Sequence, residues 1–364
     1  MKVLFISHIS EQSGWAQASK DYMLALDSVG VDVVSRCVYL TKRDIPKEIQ
    51  PFEDKDTDGC SVCIQHVLPH HMVFTDKFDK NIGIFESETD SIKTTGWVSK
   101  LNLLDELWVP NTEMVDVCKE SGVTVPIRVI PHTIDSEKYK QPYQPPNLPD
   151  CDDTFKFYFI GEFNRRKHLN ALLRAFHTEF QSHEPVSLIL KVNKPDKNEE
   201  QVSELVRETC TGVKNGLRLY KYSHMYHEEV IISQYLTEPQ LLGLHKYADC
   251  FVNPSYGEAW CQPAMDAIGC NNAVISGAVG GPKDFVHPEY LVTGQYEPVF
   301  GADPLFEDLH TGWENWFSID IMDLRRKMRK AYTHNLDITA YNDVVISSHC
   351  YGDVGESMKR IINA

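Results

Sequence analysis

Two carboxylates and one run of cations have the types and spacing to do chemistry together. Glu258 and Asp266 are separated by seven residues within the stretch 248–286, ADCFVNPSYGEAWCQPAMDAIGCNNAVISGAVGGPKDFV. A strand reading ends at Asn253, and Pro263 sits where a first helical turn begins, a place where its missing N–H is no loss. Asp266 then lies about one turn inside that helix, whose N-terminus offers unpaired N–H groups and partial positive charge to an anion. A carboxylate just past it can accept two hydrogen bonds from a ribose diol, and Glu258, on the preceding loop, can contact sugar hydroxyls. The second signal is GEFNRRK at residues 161–167, between a strand and a helix. Arg165, Arg166 and Lys167 would oppose the dipole of the helix they precede, which points to an anion partner. An isolated E-x7-D pair would be two surface carboxylates; in these surroundings the functional reading prevails.

Weaker candidates lie in the first half. Glu86 and Glu88 come straight off the C-terminal end of the apolar run NIGIF. Ser13-Gly14-Trp15 follows the first strand and opens a helix, although any such turn can use a glycine. His66, His70 and His71 tempt a metal reading, but Pro69 breaks the spacing a helical histidine pair needs. A strand histidine such as His66 is more often a satisfied polar group than an acceptor-site residue. Asp56-Thr57-Asp58 lies in the acidic run EDKDTD and reads as a solvated loop. The small basic cluster Lys42-Arg43 with Lys47 reads as a solvated helix face. Of ten cysteines only Cys60 and Cys63 form a CxxC, with no second pair, so free thiols are expected and no metal site.

These residues need rigid elements beneath them. Short β-rich runs lie at 2–7, 31–38, 61–67, 81–85, 106–109 and 127–130, and several are apolar on both faces, as parallel strands covered by helices tend to be. An amphipathic stretch at 15–29 places Ala18, Tyr22, Ala25, Leu26 and Val29 on one face, with Gly30 as stop signal. The pattern restarts with strands at 154–160, 186–192, 230–233, 249–253 and 273–276. Helices are expected at 168–180, from a Thr237/Gln240 capping box to 247, and at 353–363. The expected organisation is therefore α/β: a Rossmann-like doubly wound domain over 1–138, a proline-rich linker at 139–153, and a second such domain over 154–335. A helical segment at 336–364 is expected to pack back toward the first.

The stretch around Glu258 resembles the nucleotide-sugar loop of retaining GT-B glycosyltransferases of the GT4 type (glycosyl transferases group 1). Their pattern is a strand, Pro-Ser, an acidic residue, seven residues, a second acidic residue, a short strand and Gly-Gly. Here these are Pro254-Ser255, Glu258, Asp266, the strand at 273–276 and Gly280-Gly281. Asp266 stands where the family usually has glutamate. Lys167 matches the family's lysine six residues after Gly161, while Glu162 replaces the common arginine, which Arg166 or Arg165 would supply. Val129-Ile130-Pro131-His132-Thr133-Ile134-Asp135 resembles the Ile-Pro-Asn-Gly-Val-Asp segment that closes the family's first domain. Glu86 occupies the strand end where many members carry histidine; a carboxylate there could stabilise positive charge at an anomeric centre or orient an acceptor hydroxyl.

The resemblance implies two Rossmann-like domains facing across a cleft, 1–138 binding the acceptor and 154–335 the nucleotide sugar, and transfer of a sugar from a nucleoside diphosphate sugar to a hydroxyl, with retention and without a metal or other cofactor. Glu258, Lys167, Arg166 and Glu86 would be catalytic. Asp266, Arg165, Gly14, Trp15, Ala259, Trp260 and Cys261 would bind the donor. The acceptor stays open among a saccharide, a lipid-linked sugar, a protein and a modified nucleobase. With 36 basic and 52 acidic residues the net charge is -16, which argues against binding a phosphate backbone or an anionic membrane. MKVLFISHISEQ reads as a buried strand rather than a secretory leader, no run is long enough to span a bilayer, and a cytoplasmic protein is expected. A sugar-nucleotide epimerase and a non-catalytic sugar-nucleotide-binding protein are the alternatives. No GxGxxG follows either first strand, which disfavours a dinucleotide oxidoreductase.

Overall fold

The runs that are apolar on both faces become the strands of two parallel sheets. The computed structural model describes every residue except 12, 41–43, 147, 149–150, 303–309 and 334–336. Lys42, Arg43 and part of the proline-rich linker thus lie outside the described residues. The chain divides into two units, Met1–Ser136 with Val344–Ala364, and Glu137–Asp343.

Unit 1 contains β1 (Lys2–Ser7), α1 (Gly14–Ser28), β2 (Asp32–Cys37), α2 (Gln50–Glu53), β3 (Val62–His66), β4 (Lys80–Ile84), α3 (Trp97–Leu101), β5 (Glu106–Val109), α4 (Thr112–Ser121) and β6 (Ile127–Val129). The strands form one sheet in the order β2-β1-β3-β4-β5-β6, so the order reverses beside β1. Ser13 starts α1 by accepting the Ala16 N–H at 3.2 Å, and Asn111 starts α4 by accepting the Met114 N–H at 2.9 Å. Phe5, Tyr22, Leu26, Val33, Ile64, Ile82 and Trp108 fill the core.

Unit 2 begins its sheet with β7 (Phe155–Glu162), α5 (Leu169–Glu179), β8 (Val186–Asn193), α6 (Glu199–Leu217) and β9 (Glu229–Ile232). It continues with α7 (Glu238–Tyr247), β10 (Cys250–Asn253), α8 (Gln262–Gly269), β11 (Ala273–Gly277), α9 (Gly281–Phe285) and β12 (Leu291–Val292). The order β12-β11-β10-β7-β8-β9 is that of a dinucleotide-binding sheet, with its reversal between β7 and β10. The capping box at Thr237 and Gln240 opens α7. A two-stranded antiparallel ribbon, β13 (Gly294–Pro298) with β14 (Asn315–Ile319), and α10 (Ile321–Thr333) follow.

Within α6, a Cβ added at Gly212 or Gly216 meets nothing within 4 Å. Gly→Ala at each is expected to stabilise by about 0.5–1 kcal/mol through reduced unfolded-state freedom and better helix propensity. The midpoint of urea unfolding measures this, and should rise for each variant.

After α11 (Thr339–Ser348) the chain rejoins unit 1 as α12 (Tyr351–Ile362). Val354, Met358 and Ile362 enter the same core as Tyr22, Ala25 and Leu26 of α1. Gly355 permits the close approach, since a Cβ there would stand 2.3 Å from the Ala25 carbonyl oxygen. Tyr351 Oη donates to Asp21 Oδ1 at 2.7 Å, which fixes the register of the two helices.

Candidate functional site

Open parallel sheets bind ligands beyond the strand C-termini, where the strand order reverses. In unit 2 that point lies between β7 and β10, which pair through Phe157↔Cys250 and Tyr158↔Phe251. The segment after β7 carries Arg165, Arg166 and Lys167, and the one after β10 carries Glu258. They meet: Lys167 Nζ is 2.5 Å from Glu258 Oε1, and Arg166 Nη1 is 3.2 Å from Oε2. Arg166 Nη1 also donates to the Gly257 carbonyl at 2.7 Å, and the Tyr256 N–H donates to the Arg166 carbonyl at 2.8 Å. The cations that the dipole of α5 disfavours therefore have their counter-charge on a different loop. Burial opposes ionisation of Glu258, but Lys167 and Arg166 outweigh it and hold its pKa down at about 2. Two cations facing one carboxylate leave this cluster with positive charge to spare.

The glycine pair holds this loop in place. Gly280 has φ +61°, and a Cβ on it would stand 2.0 Å from the Glu258 carbonyl oxygen. The Gly281 N–H donates to that same oxygen at 3.1 Å, and a Cβ on Gly281 would stand 2.7 Å from the Ala259 carbonyl oxygen. Ala259, Trp260 and Cys261 are buried, with Trp260 against Phe285 at 4.8 Å between ring centroids. Cys261 takes φ 75° as α8 begins, and Pro263 sits in its first turn.

Asp266 stands in a cluster of its own. Tyr139 Oη donates to Oδ1 at 2.6 Å, Gln262 Nε2 donates to it at 3.1 Å, and Lys138 Nζ lies 3.2 Å away. Burial works against its ionisation, yet Lys138, His245 and the two hydrogen bonds lower its pKa below the ordinary value. Arg165 is exposed, with its guanidinium carbon 5.8 Å from the centre of the Tyr256 ring. That ring is itself stacked on His168 at 4.0 Å and Trp316 at 5.4 Å.

In unit 1 the reversal lies beside β1, and Gly14 and Trp15 begin the helix that follows. Trp15 packs its ring 5.2 Å from that of His66, the last residue of β3. Glu86, just past β4, accepts from His66 Nε2 at 3.1 Å and from His132 Nε2 at 2.7 Å, both on Oε1. Ser19 Oγ lies 2.8 Å from His66 Nδ1, where a neutral ring that donates through Nε2 accepts from the hydroxyl. Burial lowers the His66 pKa and is only partly opposed by Glu86. Burial also resists ionisation of Glu86, but His132 and His66 overcome it and hold the carboxyl well below the usual range. Sequence reasoning had treated His132 as a marker of the fold. Its signal was positional: like Glu86 and His66, it lies at or just past the C-terminal end of a parallel strand.

Other candidates stay local. The Asp58 N–H donates to Asp56 Oδ1 at 2.9 Å, so Asp56-Thr57-Asp58 folds into its own turn. His70 and His71 lie in a 3-10 turn, with His71 5.5 Å from His8 between ring centroids. Among the described residues no group of three or more His, Cys, Asp or Glu is arranged to hold a metal ion. No helix among them is long and apolar enough to cross a membrane.

Two parallel, doubly wound Rossmann-like units on one chain define the GT-B class. Residues 144–299, which lie within unit 2, match the family described as glycosyl transferases group 1. Among solved structures, Anabaena Alr3699/HepE in complex with UDP and glucose matches with a TM-score of 0.67 at 10% identity, over 100% of this chain and 99% of that one. Sucrose-phosphate synthase from Thermosynechococcus elongatus matches with 0.66 at 15% identity, over 100% and 98%. Trehalose-6-phosphate from E. coli bound with UDP-2-fluoro glucose matches with 0.64 at 10% identity, over 100% and 98%. At such identities the likeness is one of fold. No curated protein matches the sequence.

Proposed function

We propose that the protein is a glycosyltransferase that moves a sugar from a nucleoside diphosphate sugar to an acceptor hydroxyl, with retention and without a required metal. The observation that carries this is the Arg166–Lys167–Glu258 cluster at the strand-order reversal of the domain matched to glycosyl transferases group 1. A departing diphosphate gains negative charge in the transition state, and fixed cations stabilise it there without reorganising. Lys167 and Arg166 are such cations. Glu258 clamps both in place and offers its remaining lone pairs to hydroxyls of the donor sugar. Asp266, whose three bonds all fall on Oδ1, takes the ribose through Oδ2. The leaving phosphate accepts the acceptor proton on the same face of the sugar, so the protein supplies positioning and charge rather than a base.

Calorimetric titration with UDP, GDP and ADP, followed by assays of the corresponding glucose donors, tests the proposal. One nucleoside diphosphate is expected to bind, and Lys167→Ala and Glu258→Ala to weaken it at least ~10-fold, the equivalent of one charged contact. If both variants bind and turn over like wild type, the site assignment fails. Epimerised donor appearing without any acceptor would replace transfer with epimerisation.

A further inference from the structure

The chain enters unit 2 at Glu137, and the next two residues both reach Asp266. Tyr139 Oη and Gln262 Nε2 donate to Oδ1, and Lys138 Nζ lies 3.2 Å from that same oxygen. A carboxylate has about four lone-pair sites on its two oxygens, so three donors fill Oδ1. Oδ2 meets no donor among the described residues. Contacts that do not involve the carboxylate hold the segment in place. The Tyr139 ring is buried over Gly269 of α8, where an added Cβ would stand 2.6 Å from three of its carbons. Tyr143 Oη donates to the Lys138 carbonyl at 2.9 Å, and a Cβ on Gly243 of α7 would collide with the Gln144 carbonyl. The segment thus lies against both helices, and it presents its hydroxyl and its ammonium to one oxygen of one side chain.

The groups facing Asp266 leave Lys138 as the charge in contact with it. His245 on α7 is buried, with its pKa pushed down to about 4, so the ring is neutral near pH 7. Burial pushes the Cys270 thiol up to about 12 and raises the Tyr158 hydroxyl of β7 well above its ordinary value, so both stay protonated. Glu238, the first residue of α7, shares Lys138 at 3.1 Å. Burial favours a protonated Asp266, and Lys138 leads the groups that oppose it. Without that ammonium the carboxylate would take up a proton at higher pH. Without the Tyr139 hydroxyl it would be free to turn.

We propose that Lys138 and Tyr139 are positioning residues for nucleotide binding: by occupying Oδ1 they fix the carboxylate of Asp266 so that Oδ2 receives a ribose hydroxyl. The assignment rests on the transferase reading, in which Asp266 takes the ribose. It adds that the segment entering unit 2, and not α8 alone, sets how tightly the nucleotide is held.

Calorimetric titration of the whole protein is the test, between about pH 4 and 8. The probes are UDP, GDP and ADP, with the 2′,3′-dideoxy form of whichever binds. Tyr139→Phe keeps the ring over Gly269 and removes only the hydroxyl, and it should lower nucleotide affinity roughly fivefold. Lys138→Met should lower it roughly tenfold and move the acid limb of the affinity profile to higher pH, while Lys138→Arg keeps the charge and most of the affinity. Neither Tyr139→Phe nor Lys138→Met should change affinity for the dideoxy nucleotide, which has no hydroxyl for Asp266 to hold. Equal losses for the natural and dideoxy nucleotides, which a general disturbance of the fold would give, overturn the proposal. Wild-type affinity and pH profile in Tyr139→Phe and Lys138→Met overturn it as well. Tyr139→Phe and Lys138→Arg carry the same comparison if Lys138→Met does not fold. A wild-type protein that binds none of the three diphosphates ends the transferase reading and this assignment together. One that binds through Lys167, with Lys138 and Tyr139 silent, ends this assignment alone.

Discussion

Lys167→Met is expected to lower kcat/KM for the nucleoside diphosphate sugar by about 10²–10³ and to destabilise the protein by about 2–4 kcal/mol. Its Nζ lies 2.5 Å from Glu258 Oε1, where the two side chains are 16% and 8% exposed. Removing the ammonium strands a carboxylate that water reaches poorly. Arg166, 3.2 Å from the other oxygen, keeps the loss below that of an orphaned charge. Adding Glu258→Gln should restore most of the stability and none of the rate. The amide needs no counter-charge, whereas the departing diphosphate still lacks its cation. A double-mutant cycle in urea, with rates measured in parallel, checks both halves. Wild-type turnover by Lys167→Met, or a double variant less stable than the single one, would defeat the assignment.

The same pair sets an acid dependence. The folded-state pKa of Glu258, about 2, lies below its usual 4.5, so the unfolded chain binds the extra proton in that interval. Its contribution, about 3 kcal/mol, is complete above the unfolded value and is lost as pH falls toward the folded one. Stability curves of Glu258→Gln should therefore be flatter than wild type between pH 4.5 and 2.

Gly280→Ala should be the most damaging single-methyl change, at about 2–4 kcal/mol together with loss of donor binding. Two effects combine there. At φ +61° any L side chain is strained, and the new Cβ would meet the Glu258 carbonyl oxygen at 2.0 Å. That oxygen belongs to the backbone and cannot swing aside, so relief moves Glu258 off its cations. Gly301 separates the two effects. It has φ +68°, yet the nearest atom to an added Cβ is 3.9 Å away, so Gly301→Ala should show only the backbone strain, about 1 kcal/mol. Thermal unfolding and UDP titration of both variants give the comparison. Equal losses would mean that the close approach at Gly280 does not matter.

The candidate site of unit 2 was legible because its pieces are local. Pro263, Gly280-Gly281 and the strand at 273–277 surround Glu258 within one stretch of chain, and Lys167 follows the one long-range partner strand. What the sequence withheld was pairing. Nothing in GEFNRRK says that Glu258, rather than a ligand alone, answers its charge. Asp266 is bound to Lys138 and Tyr139, the last residue of the segment read as first domain and the first of that read as linker. In unit 1 the sequence marked Glu86 and His66 separately. Their meeting with His132 depends on β3, β4 and β6 ending at one edge of a sheet, a fact of strand order rather than of spacing.

The return of α12 to α1 has a consequence for synthesis. The ribosome releases unit 2 as one uninterrupted stretch, Glu137–Asp343, but unit 1 as two pieces that bracket it. Tyr22 and Leu26 on α1 share their core with Met358 and Ile362, which emerge more than three hundred residues later. The unit that is translated first is thus completed last. During that interval the apolar face of α1 stands open to chaperones and to neighbouring nascent chains, while the later-made half can already be folded.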